Sequence, residues 1–217
     1  KAAKHAFETD FGTPKTVRLE RLERLVAATE ERLEDLAQAM MLEMGAPVSM
    51  ARSAQADAAI GHLHGFTHSL REQQERETLA NGDVLVREPI GVCGLITPWN
   101  WPINQIALKV IPALAVGATC VLKPSEHTPL SAIAYAEIID AAGFPDGAFN
   151  LIHGDGPTAG AALSCHPDIQ MMSFTGSTRA GTAVTKDAAD TVKRVTLELG
   201  DKSPNIVFAD CELEECV

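Results

Sequence analysis

From Ile90 onward, five short apolar runs alternate with four helical patterns, and no other feature of the 217-residue chain restricts its fold as tightly. The runs are Val92 to Thr97, Thr119 to Lys123, Ala148 to His153, Met171 to Thr175 and Arg194 to Leu199. Between them lie periodic stretches near Pro102 to Val116, Pro129 to Ala142, Pro157 to Ser164 and Thr178 to Ala189. Strands this apolar need cover on both faces, and helices at this spacing provide it. The pattern predicts an α/β fold built on a Rossmann-like parallel sheet with flanking helices.

Long N-terminal helices precede this core. Apolar residues at Val17, Leu19, Leu22, Leu25, Leu33, Leu36 and Met40 keep three-and-four spacing, which predicts one helix over 14–44. Thr13-Pro14 would start it, and Gly45 with Pro47 would stop it. A second helix over 48–77 would bury Ile60, Leu63, Phe66 and Leu70. It carries His64 and His68 at metal-capable spacing but no glutamate beside the first, so solvated or helix-packing histidines are the better reading and no metal site is expected. Asn81-Gly82 then signals a turn, and Val84 to Pro89 a short strand stopped by proline.

Charge and cysteine usage narrow the setting. With 29 acidic and 18 basic residues the net charge is −11, so no broad basic footprint for nucleic acid or anionic membrane exists. No apolar run approaches the roughly 18 residues of a membrane span, and the N-terminus lacks a signal peptide's apolar block. Five cysteines, at 93, 120, 165, 211 and 216, are an odd number without framework spacing. The first three are expected to be buried reduced thiols, and a reducing cytoplasm is the expected location. Because Lys1 is not an initiator methionine, the sequence reads as processed, trimmed or part of a longer chain.

In parallel sheets ligands sit beyond the carboxyl ends of the strands. Thr97-Pro98-Trp99-Asn100-Trp101-Pro102 follows the first run, a proline-stiffened loop presenting one amide. Lys123-Pro124-Ser125-Glu126 follows the second: either an exposed ion pair at a helix start or a site for a ribose. Gly154 to Gly160 follows the third, a near miss for the dinucleotide fingerprint that a simple turn explains as well. After the fourth, Ser177 and Thr178 open a helix, and Ser177 either caps it or contacts a phosphate. Glu198 ends the fifth run beside Gly200, either a surface carboxylate or a general base.

In this order ITPWNWP, VLKPSEHTPL, GDGPTAG, SFTGSTRAG and LELGDKSPNI resemble the NAD(P)-dependent aldehyde dehydrogenase superfamily, over essentially the whole chain from the first long helix. The resemblance implies that Asn100 donates its amide to the oxyanion of a tetrahedral intermediate and that Glu198 activates water to hydrolyse a thioester. It implies that Lys123 and Glu126 contact the adenosine ribose, that Ser177 contacts the pyrophosphate, and that Gly156, Thr175 and Gly176 form walls of the cofactor groove. Ile96 and Trp99 would line the nicotinamide side, with Thr97 and Leu199 also among the cofactor contacts. Glu126 favours NAD over NADP, because a 2′-phosphate would meet like charge, although Lys123 softens that preference and leaves NADP open.

The same resemblance places the nucleophilic cysteine a few dozen residues after Glu198, beyond Val217, so the isolated chain is expected to turn nothing over. It divides the chain into helices of the cofactor domain (1–77), part of a bridging and oligomerisation arm (78–90), the NAD-binding core (91–200) and the opening of a catalytic domain (201–217). The whole protein would take an aldehyde substrate and form a homodimer or homotetramer. Two further expectations concern the last segment. Asp201 replaces the usual second glycine and brings a negative charge beside Glu198 that Lys202 would have to offset, and Ile206 to Phe208 forms an apolar strand. Asp201 and the missing nucleophile motivate the alternative of a non-catalytic, degenerate nucleotide-binding module.

Overall fold

A computed structural model describes residues 1–200, 206 and 208–210. Asp201, Lys202, Cys211, Cys216 and the middle of Ile206 to Phe208 lie outside that set. Ile206 and Phe208 themselves are exposed and belong to no strand, contrary to the apolar strand expected there.

Five strands form one parallel sheet: β3 (Val92–Ile96), β4 (Thr119–Lys123), β5 (Phe149–Leu151), β6 (Met171–Thr175) and β7 (Arg194–Glu198), in the order β5-β4-β3-β6-β7. The chain walks outward from β3 to β5, then returns to the other side of β3 and walks outward again through β6 to β7. The switch point is therefore between β3 and β6, where a crevice opens at the carboxyl edge of such a sheet. All five strands fall where the apolar runs predict them.

Alternation along the strands sorts the core into two layers. Cys93 and Leu95 of β3 with Cys120 and Leu122 of β4 face α6 (Pro102–Ala115) and α7 (Pro129–Ala141), and the upstream helices pack outside these. Val92, Ile96, Met172 and Phe174 face the other way, against α8 (Ala161–Cys165), α9 (Thr178–Ala189) and α1 (Ala2–Asp10). Reversing the walk while keeping one crossover hand moves the helices to the opposite face, which is why α6 and α7 lie on one side and α8 and α9 on the other.

Several boundaries differ from the sequence reading. The helix expected over 14–44 is two, α2 (Lys15–Glu31) and α3 (Leu33–Met44), bent at Arg32. The halves serve different partners: α2 packs on α5 (Asp57–Glu72) and α7, while α3 packs on α7 and on a π turn, Ala51–Ala56. Arg32 clamps the bend through Asp35 and Glu137, both at 2.8 Å. The second helix begins as a short turn, α4 (Val48–Met50), passes through the π turn into α5, and ends at Glu72 rather than 77. Residues beyond it pair instead, β1 (Arg76–Thr78) with β2 (Val84–Val86), in an antiparallel hairpin. The third helical pattern resolves into a π turn, Gly156–Gly160, followed by α8. Cys93 and Cys120 are buried reduced thiols, but Cys165 is exposed at the end of α8.

Candidate active site

Strand register brings the predicted residues to one edge. Ile96 pairs with Lys123 on one side and with Phe174 on the other, and Thr175 pairs with Glu198. Thr97 and Thr175, each just past that register, flank the switch point, and neither hydroxyl has a partner among the described residues. Two orphaned hydroxyls at a switch point are what a polar ligand threading the crevice would satisfy.

The β4 end holds a charge cluster. Lys123 is only 3% exposed, and its ammonium lies 3.3 Å from the half-exposed Glu126 carboxylate. A bond to the backbone, then the Lys123 ammonium, holds the Glu126 carboxyl below the usual range. The loop is braced from outside, because the Glu43 carboxylate accepts from the Leu130 and Ser131 amides at 2.7 and 3.1 Å and so caps α7. Gly156 has open space where a side chain would stand, which leaves its backbone approachable.

Ser177 caps α9, its hydroxyl accepting from the Ala180 amide at 3.3 Å. A Cβ on Gly176 would lie 2.7 Å from the Phe174 ring, and one on Gly181 would lie 2.6 Å from Leu199. Leu199 thus rests on the first turn of α9. Glycine at both positions lets the strand and helix approach this closely.

Beside β6 and β7, on the α6 side, a cavity of about 420 Å³ opens. Glu198, Thr175, Thr196 and Ser173 form its floor, with Gln105, Leu108 and Lys109 of α6 along one wall and Leu199 at the rim. Lys109 was not among the predicted residues. It is 8% exposed, and its ammonium donates to the Ser173 hydroxyl at 2.9 Å. Burial pulls its pKa from the ordinary 10.5 to about 8, against the opposing pull of the Glu198 carboxylate. A lysine so poised can exchange a proton near neutral pH and sits in the electrostatic field of Glu198.

Asn100 and Trp99 occupy an exposed loop and do not line this cavity. Trp101, not Asn100, is the N-cap of α6, and it makes no side-chain cap bond, so capping does not engage the Asn100 amide. His64 and His68 are exposed on α5, whereas the neighbouring His62 meets Asn104 at 2.7 Å. Among the described residues no helix is long and apolar enough to cross a membrane.

A model of the aldehyde dehydrogenase family matches residues 1–217. The chain belongs to that family. It is 54% identical over its full length to 3-succinoylsemialdehyde-pyridine dehydrogenase from a Pseudomonas species, of which it covers 46%. It is similar to the crystal structure of an aldehyde dehydrogenase from Bartonella henselae, with a TM-score of 0.93 and 50% identity over 98% of this chain and 45% of that one. It is equally similar to a mutant of aldehyde dehydrogenase C from Pseudomonas syringae complexed with NAD+ and octanal, with a TM-score of 0.94 and 50% identity over 99% of this chain and 44% of that one. The chain thus spans slightly less than half the length of the relatives it matches.

A dinucleotide suits the residues of this aldehyde dehydrogenase chain. The unpartnered hydroxyls of Thr97 and Thr175, the open space at Gly156 and the Lys123–Glu126 pair all lie along the carboxyl edge and its loops. Donors, acceptors and clearance of these kinds fit the chemistry of ribose and phosphate groups.

Proposed function

We propose that the protein oxidises an aldehyde to a carboxylic acid with NAD, and that these residues supply its cofactor cleft and water-activating base. The observation that carries this reading is the cavity beside β6 and β7, with Glu198 on its floor and Lys109 in its wall. Lys123 and Glu126 hold the adenosine ribose, Ser177 and the start of α9 receive the pyrophosphate, and Ile96, Thr97, Trp99, Thr175, Gly176 and Leu199 border the nicotinamide half. Asn100 donates its amide to the oxyanion, a role its disengagement from helix capping supports. Glu198 takes the proton from the hydrolytic water, while the Lys109 ammonium steadies the carboxylate. NAD, when bound, supplies the hydride acceptor. One aldehyde, one water and one NAD give one acid, one NADH and one proton.

The nucleophilic thiol belongs to a part of the protein outside these 217 residues. The substrate class is an aldehyde, supported by the names of relatives that act on a semialdehyde or are complexed with octanal. The reading places the protein in the reducing cytoplasm, consistent with the buried Cys93 and Cys120 thiols. The hairpin over 76–86 is proposed as an oligomerisation arm, supported by exposed Leu79, Val84, Leu85 and Val86.

The test is NADH formation by the full-length protein from NAD and aldehyde, with Glu198→Gln beside the wild type. The variant should lose on the order of 100-fold in steady turnover while binding NAD normally. Undiminished turnover would remove Glu198 from its role. Saturable NAD binding without NADH from any aldehyde would leave a non-catalytic nucleotide-binding module.

A further inference from the structure

Lys109 is anchored by a neutral partner. Ser173 lies buried at the middle of β6, and its hydroxyl accepts from the Lys109 ammonium at 2.9 Å. That is the sole hydrogen bond of the ammonium among the described residues, and no ion pair joins Lys109 to Glu198 although both line the cavity. Strand register explains the separation. Ser173 lies beside Thr196, and the next pair on the same face is Thr175 beside Glu198. Two residues of strand cover roughly 6–7 Å, so an ammonium anchored on Ser173 is held one row short of Glu198.

We infer that Ser173 is a positioning residue for the hydrolytic step: its hydroxyl tethers the Lys109 ammonium one strand row from Glu198, keeping the positive charge in the cavity and the carboxylate free for water. The inference rests on the reading of Glu198 as the water-activating base. In that step Glu198 takes a proton from water, the water oxygen bonds the thioester carbonyl carbon, and the carbon–sulfur bond breaks to return the thiolate and release the acid. An ammonium donating straight to Glu198 would occupy an oxygen that must receive that proton. A hydroxyl satisfies the cation without neutralising it. Alanine at this position removes the tether, and among the described residues Glu198 is the one other charged group lining the cavity.

Two measurements on the full-length protein test this. In rapid mixing with NAD and octanal, Ser173→Ala should keep the first turnover of NADH within about twofold, while decay of the acyl-enzyme, followed by quenching and intact mass, slows on the order of tenfold. Ser173→Thr keeps the hydroxyl and should restore the decay, and Ser173→Ala should add nothing on the Lys109→Met background. A general packing defect would slow both phases and would not depend on Lys109. Urea melts need no turnover: the coupling between Lys109→Met and Glu198→Gln should grow at least about threefold in the unfolding constant when Ser173→Ala is present. Unchanged coupling overturns the tether, and unchanged decay overturns its role in hydrolysis. A wild type that forms no NADH, or Glu198→Gln that hydrolyses the acyl-enzyme normally, overturns the reading of the base instead, and the melts still decide the tether.

Discussion

Replacing Lys109 with methionine should make the protein more stable at neutral pH and a poorer catalyst. Methionine is unbranched and of similar length, so it can occupy the same channel without a charge. The wild-type ammonium is 8% exposed, bonded to Ser173 at 2.9 Å, and burial lowers its pKa from 10.5 to about 8. That gap corresponds to a cost on the order of 3 kcal/mol for holding the charged form in the fold. Below about pH 8 both folded and unfolded chains keep the proton, and the folded state carries the whole cost. Between about 8 and 10.5 the unfolded chain still holds a proton that the folded one has released, so wild-type stability rises with pH. Urea melts of both proteins, stepped from about pH 6.5 to 9.5, isolate the effect, because other titrating groups such as Cys93 are common to both and cancel in the difference. The variant's advantage should be greatest at neutral pH and shrink steadily above pH 8. An advantage that does not change with pH would refute the claim that Lys109 is held against its own desolvation.

Ser173→Ala removes the hydroxyl that accepts from Lys109 and should cost about 1.5–3 kcal/mol at neutral pH, as expected for a bond to a charged group. The same melts should show that cost fading above about pH 8, and a pH-independent cost would count against it. Glu43→Ala uncaps α7 and should cost about 1 kcal/mol, with faster amide exchange at Leu130 and Ser131; unchanged exchange there would contradict the capping. Gly147→Ala should cost about 1–3 kcal/mol, since Gly147 sits at φ +84° and its Cβ would lie 2.9 Å from the Ala2 carbonyl. Gly12→Ala, at φ +80° in open space, should cost less, and equal losses would show that the contact with α1 is immaterial.

The centre of the sheet was legible because β3 and β4 are buried on both faces, so apolar composition marks them. Elements made by pairing or by small residues were not. β1 reads Arg-Glu-Thr and has no apolar pattern; it exists because β2 supplies backbone partners. α1 buries only Ala3 and Ala6, which give no hydrophobic spacing to detect. The bend at Arg32 leaves the apolar spacing through Leu33 and Leu36 intact, so only the two different surfaces that α2 and α3 cover reveal it.

The candidate site was legible where motifs end strands and obscure where a helix supplies a charged side chain. Lys109 stands alone as a charge in Ile106-Ala107-Leu108-Lys109-Val110-Ile111, and a solitary lysine on an apolar face is itself a signal, since burying it unpaired is costly. A second signal lies in the strands. β3 and β4 are apolar on both faces apart from their ends, but β6 and β7 place Ser173, Thr175, Thr196 and Glu198 on the α6 side and Phe174, Val195 and Leu197 on the other. Polar residues on one face of two adjacent strands mean that no apolar helix covers that face. The alternate exposure of β7 agrees, since Arg194, Thr196 and Glu198 are its exposed positions. The cavity is therefore encoded as a boundary: α6 covers an apolar sheet up to β3, the cover stops, and the buried lysine on its flank lines the same cavity as the carboxylate that ends β7.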